Sequence, residues 1–212
     1  MNLTLEVLES QTARIDKSAP ERPLLEAQVV DAADSITYDA HDCDDAVKLG
    51  LVTIEELLEI PLVHQCADRA LSVLNEDVRL ARKMLVRDLI DHQVSDVLTA
   101  AQAHLAANQY ESAATARRAL FVIEPSPSLA PLKGELEAFL YKRVYRHPDI
   151  VVVREQAARQ LRELFHRFLA APQQLPKRHR QRIDSVGVRR AIADFIAGMT
   201  EGYFHEQCAT VT

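Results

Sequence analysis

Between Leu24 and Leu49 the chain reads LLEAQVVDAADSITYDAHDCDDAVKL, with neither glycine nor proline. The two residues that most often interrupt a helix are absent, so the stretch reads as one long helix. It also carries Asp31, Asp34, Asp39, Asp42, Asp44 and Asp45, with Tyr38 and His41 among them. At about 100° per residue, Asp31, Tyr38, His41, Asp42 and Asp45 share an arc of roughly 100° with Asp34. Val29, Ala32, Ile36, Ala40, Cys43 and Val47 fall on the far side. The helix therefore has an apolar stripe and a narrow acidic one. Two readings fit the acidic stripe: a solvated face, or a site whose carboxylates meet a metal or a ribose. Asp is a poor residue in mid-helix because its short side chain competes for backbone hydrogen bonds. That weighs towards a site without deciding it.

The rest of the chain is also helical in character. Only 5 of 212 residues are glycine, β-branched runs are scarce, and Ala, Leu, Glu, Arg and Gln are plentiful, which favours helix. No alternating strand pattern of useful length occurs, so the expected fold class is all-α. No apolar run approaches the roughly 18 residues a membrane span needs. The N-terminus, MNLTLEVLESQ, is acidic and amphipathic rather than a signal peptide. Cys43, Cys66 and Cys208 are odd in number and lack metal-ligand spacing, which reads as reduced thiols of a cytoplasmic protein. The net charge of −6 does not indicate a nucleic-acid partner. Acid gathers in the first half, up to about Asp96, and base prevails from Lys142 to Arg190.

Punctuation along the chain predicts the element order. Asn2 to about Gln11 reads as a short helix, and Pro20 and Pro23 break the chain after it. Gly50 suits the end of the acidic helix. Thr53, with Glu56 three residues on, is a capping box. Pro61 opens a helix to about Leu74, and Asn75 is a candidate cap for a long helix towards Asn108. Helices are expected over Tyr110–Val122, Leu129–Arg146, Val151–Ala171 and Ala191–His205, the last with a lead-in from Val186. EPSPS and RHPD are breaks, His147 reads as a capping residue, and PQQLPKRHRQ is a basic connector. The segment from Ala100 to Ser126 also resembles a single tetratricopeptide unit, but no second copy occurs at the period a repeat scaffold requires.

Three motifs carry a wider resemblance. LEAQVVDAADSITYDAHDCDDAVKLGLV resembles the late metal-binding helix of the deoxyguanosine triphosphate triphosphohydrolases, a family of HD-domain phosphohydrolases. FLYKRVYRHPDIVVVREQAARQLRELFHRFL and RRAIADFIAGMTEGYF are similar to that family's C-terminal helices, in the same order. The resemblance implies a multi-helical HD-domain phosphohydrolase fold. It also implies metal-dependent conversion of a deoxynucleoside triphosphate and water to deoxynucleoside and tripolyphosphate. Asp34 matches a metal-ligand Asp, Tyr38 the Tyr that packs on the deoxyribose, and Asp42 the Asp that receives the 3′-hydroxyl. Lys142, Arg143 and Arg146 are candidates for the triphosphate oxygens, with ordinary surface charge as the alternative. A divalent Mn, Mg or Fe would be the cofactor.

The family's metal site also needs a His and a His-Asp pair from earlier helices. No His precedes His41 here. The chain is therefore expected to be the C-terminal portion of a family member, its N-terminal metal-binding helices missing. Residues 1–60 would be the remainder of the catalytic core, around the helix 24–49, and 61–212 the family's C-terminal helical region. Four expectations follow: no hydrolysis by the chain alone, no retention of the metal in that form, lowered stability, and association as a homo-oligomer or with a partner chain supplying the missing half. A non-catalytic helical interaction or regulatory module descended from the enzyme is the competing expectation.

Overall fold

A computed structural model describes residues 22–119 and 121–209. The expected helix over residues 2–11 lies outside them. Every regular element among the described residues is helical, and no described helix is long and apolar enough to cross a membrane. The chain divides into two compact units, up to Val144 and from Tyr145 onward. That division follows packing, whereas the boundary expected near residue 60 follows family resemblance.

In the first unit, helix α1 spans Leu25–Lys48. It ends as its sequence suggests, with Gly50 at φ 70° and the Leu49 N–H bonded to Asp45 O at 2.9 Å. Helix α2 (Ile54–Leu58) opens with both halves of the Thr53/Glu56 capping box in place. The single helix expected from Pro61 to Leu74 is instead two, α3 (Pro61–Gln65) and α4 (Asp68–Val73). Tight turns close α3, from Cys66 N to Val63 O and from Ala67 N to His64 O, each 3.1 Å. Cys66 and Ala67 are both buried, so the bend serves the core.

Helix α5 spans Val78–Asn108 and is capped by Asp77, whose side chain accepts from Leu80 N at 2.9 Å. Asn75, the expected cap, lies in the preceding turn. The helix expected over 110–122 shrinks to α6 (Ala113–Arg118). The chain beyond it is irregular and tied down by side chains. Gln28 Oε1 accepts from Ile123 N at 2.9 Å, and Asp96 accepts from Ser126 N at 2.7 Å. Helix α7 (Ala130–Leu140) continues into a π-helical turn over Tyr141–Tyr145. Helices α1 and α4 pack on α5, and α1 and α3 on α7. The core between them is built from Ala40, Cys43, Ala46, Leu57, Leu62, Val63, Leu85, Leu89, Leu136 and Leu140.

In the second unit, α8 (Pro148–Ala170) is capped by His147, whose Nδ1 accepts from Asp149 N at 3.4 Å. The basic connector contains a 3₁₀ turn (Pro172–Gln174) and α9 (Lys177–Arg180), and it buries Leu175. Helices α10 (Ile183–Val186), α11 (Val188–Ala197) and α12 (Glu201–Ala209) follow. The helix expected to run unbroken from Ala191 to His205 is split at Gly198–Thr200. Gly198 N turns back to Phe195 O there, and Thr200 Oγ1 receives Tyr203 N. Leu164, Phe168, Leu175, Ile192 and Phe195 form this unit's core.

Candidate functional site

Helix α1 is unbroken from Leu25 to Lys48, so helical geometry fixes the order of its exposed face. Asp34, Tyr38 and Asp42 stand on successive turns and rise about 12 Å along the axis. Asp31, Asp34 and His41 are exposed, Tyr38 is 59% exposed, and Asp42 is half-buried. A phenol flanked by carboxylates on one accessible face suits a ligand with a sugar-like apolar ring and hydroxyl donors.

The opposite face holds the surprise. Ile36, Ala40, Cys43 and Ala46 are buried as the apolar stripe implies, but so is Asp39, only 5% exposed. Its carboxylate accepts a hydrogen bond and ion pair from Lys133 Nζ on α7, and Lys133 is 8% exposed. Lys133 also pairs with Glu137 at 2.9 Å. Burial pushes the Asp39 carboxyl above the usual range, against the pull of the neighbouring ammonium. Within the apolar stripe Val29 departs from expectation and is half exposed, although Leu25 and Ala32 pack against the cluster around Ile36. On the helical wheel Asp39 borders the apolar arc, about 20° from Ala32. That was the available signal, since a carboxylate there demands a buried partner, though nothing in the sequence names Lys133.

Further polar ties hold α1. Arg82 Nε on α5 donates to Asp44 Oδ1 at 2.8 Å. Gln28 Nε2 donates to Pro23 O at 3.0 Å, and its Oε1 holds Ile123 N.

The basic candidates differ from one another. Arg143 Nη2 donates to Glu56 Oε1 at 2.5 Å, and its guanidinium lies 5.7 Å from the Phe139 ring centre. Lys142 is exposed on the same π-helical turn and belongs to the first unit, as Arg143 does. Arg146 is exposed and lies in the second unit.

The described residues do not fit a metal centre. Among them no group of three or more His, Cys, Asp or Glu is arranged to hold an ion. Asp34 offers one carboxylate, and a catalytic divalent site takes several protein ligands.

With the fold and this face established, comparison defines the class. Residues 123–210 match the phosphohydrolase-associated domain, so the chain carries an all-α phosphohydrolase-associated module. It belongs to the deoxyguanosinetriphosphate triphosphohydrolase-like family of HD-domain phosphohydrolases. It is 36% identical to deoxyguanosinetriphosphate triphosphohydrolase-like protein 1 of Deinococcus radiodurans, covering 100% of this chain and 58% of the relative. A similarly named protein of Deinococcus deserti is 34% identical over 100% of this chain and 56% of the relative. One from Geobacter sulfurreducens is 32% identical over 85% and 48%. The chain thus spans about half the length of the curated relatives it matches.

Proposed function

We propose that this chain supplies the nucleoside-binding helix of a protein that hydrolyses deoxynucleoside triphosphates to deoxynucleoside and tripolyphosphate. The observation that carries the reading is the unbroken α1, with Asp34 and Tyr38 accessible and Asp42 half-buried on one face. Relatives named as triphosphohydrolase-like over the whole chain support it. Tyr38 packs against the deoxyribose ring, and Asp42 accepts the 3′-hydroxyl. Lys142, in the same unit as α1, takes the phosphate oxygens. Arg143, already engaged by Glu56, holds the π-helical turn that presents Lys142.

Among the described residues Asp34 is the carboxylate matched to a Mn, Mg or Fe ligand, and no group of three or more ligating side chains surrounds it, so no hydrolytic step is assigned to them. The isolated chain binds nucleoside without cleaving triphosphate. A homologous or partner chain supplies the remaining metal ligands, in the cytoplasm. The competing reading is a non-catalytic interaction module, favoured by the single carboxylate at the metal position.

Titrating ¹⁵N-labelled chain with deoxynucleosides and ribonucleosides tests this. Shifts around Tyr38 with the deoxy series only, abolished by Tyr38→Ala, are expected. Equal response to both series overturns the reading, as does tripolyphosphate release by the chain alone with Mn. No response at all favours the non-catalytic module.

A further inference from the structure

The buried pair between α1 and α7 lies outside the nucleoside face, yet it sits in the middle of the helix that carries it. Asp39 follows Tyr38 directly and is flanked along the helix by Asp34 and Asp42. The fully buried contacts of α1 in the main core, Ala40, Cys43 and Ala46, are all small side chains; Val47 is only partly buried there, and Ile36 packs in a separate cluster with Val97 and Ile123. A ridge of small residues fits its neighbours at more than one rotation of the helix, because shape complementarity comes from large interdigitating side chains. A buried ion pair is directional, and leaving either partner unpaired is costly. Lys133 is anchored on its own helix by Glu137, so its ammonium presents a fixed target. The other polar ties lie farther off, Gln28 towards the N-terminal end of α1 and Asp44 towards its C-terminal end.

We infer that Lys133 is a positioning residue: by holding Asp39 it sets the rotation of α1 and so determines which way Tyr38 and Asp42 point. The use of that orientation rests on the nucleoside-binding reading above, whereas the orientation itself does not. Helix α7 carries Lys133 near its start and runs into the turn bearing Lys142 and Arg143. The same contact therefore registers the acidic face against a basic turn. The charged groups that act on Asp39 are Lys133, Glu137 and Asp42, and those paired with Lys133 are Asp39 and Glu137.

The inference has a readout that needs no ligand, because Cys43 is buried one turn beyond Asp39. An apolar replacement, Asp39→Leu with Lys133→Met, removes direction while retaining bulk. It is expected to melt cooperatively, to alkylate Cys43 roughly tenfold faster than the wild type as α1 turns, and to lose the deoxynucleoside-induced shifts at Tyr38. A neutral hydrogen-bonding replacement, Asp39→Asn with Lys133→Gln, is expected to keep Cys43 protected. Wild-type protection in the apolar variant overturns the inference. If that variant fails to fold, exposure of Cys43 in the folded neutral variant overturns it instead, and protection there supports it. If the wild type ignores nucleosides while Cys43 is released as described, the functional reading fails and the positioning role stands.

Discussion

The guanidinium of Arg143 meets Glu56 across 87 residues of chain, with Nη2 to Oε1 at 2.5 Å. The other oxygen of the same carboxylate receives Thr53 N at 2.8 Å. One side chain therefore caps α2 and ties that helix to the π-helical turn, where helix irregularities often serve function.

This double duty gives Glu56 a pH signature. The Thr53 backbone N–H first, and the Arg143 guanidinium second, hold its carboxyl below the usual range. A depressed carboxyl adds stability above its unfolded pKa, and that stability is lost as pH falls through the folded value. Glu56→Gln keeps an acceptor but no charge. Its thermal midpoint is expected to match the wild type in strong acid and to fall below it progressively towards neutral pH. Parallel melting curves across the whole series would contradict the assignment.

Removing one partner of the buried pair should be costly. Lys133→Met leaves Asp39 in the core without a counter-ion, and such losses run to about 3–5 kcal/mol. The apolar double replacement should recover most of that. The pH dependence has the opposite sign to that of Glu56. A carboxyl raised above its unfolded value adds stability below the ordinary carboxylate range and loses it as pH rises through the folded value. Urea titrations should show Lys133→Met losing most against the wild type at neutral pH and least in acid.

Thiol reactivity should follow burial. Burial pushes the Cys43 thiol up to about 12 and Cys66 to about 11. Cys208 is only half-buried near the end of α12. Only the thiolate reacts appreciably, so iodoacetamide at mildly alkaline pH should label Cys208 first. Peptide mapping that finds Cys43 labelled as fast as Cys208 in the folded protein would rule this out.

The second unit depends on a small aromatic core. Phe168 packs edge-on against Phe195 at 5.3 Å between ring centres, and both are buried. Phe168→Ala should cost about 3–5 kcal/mol. Hydrogen exchange should show the loss of protection concentrated in α8 and α11. Unchanged protection there would refute it.

Strain at the end of α5 can be relieved. Gln109 is a non-glycine residue at φ 42°, a left-handed conformation that costs a side-chain residue about 1–2 kcal/mol. Gln109→Gly should raise stability by up to about 1 kcal/mol after the added chain entropy is deducted. A lower melting temperature would refute it.

Where the signals were local, the sequence was legible. The Gly- and Pro-free run became α1, Gly50 took a positive φ, Thr53 and Glu56 closed their capping box, and His147 capped α8. Each depends on neighbours within a few residues. Where the structure departs from local pattern, the cause is distant in sequence or lies in the core. The bend at Cys66–Ala67 exists because both residues are drawn into the core. The shortness of α6 reflects Gln28 and Asp96, distant in sequence, claiming the backbone beyond it. Asp77 rather than Asn75 caps α5, because the chain first turns Glu76 N back to Val73 O.

The acidic face followed the same division. Helical periodicity alone, a property of 3.6 residues per turn, places Asp34, Tyr38 and Asp42 together. The burial of Asp39, its contact with Lys133 and the engagement of Arg143 by Glu56 were decided by the packing of α7 against α1 and of the turn beyond α7 near α2. Charges 94 and 87 residues apart become partners only when the chain closes on itself, and no local pattern encodes which of many carboxylates and cations will meet.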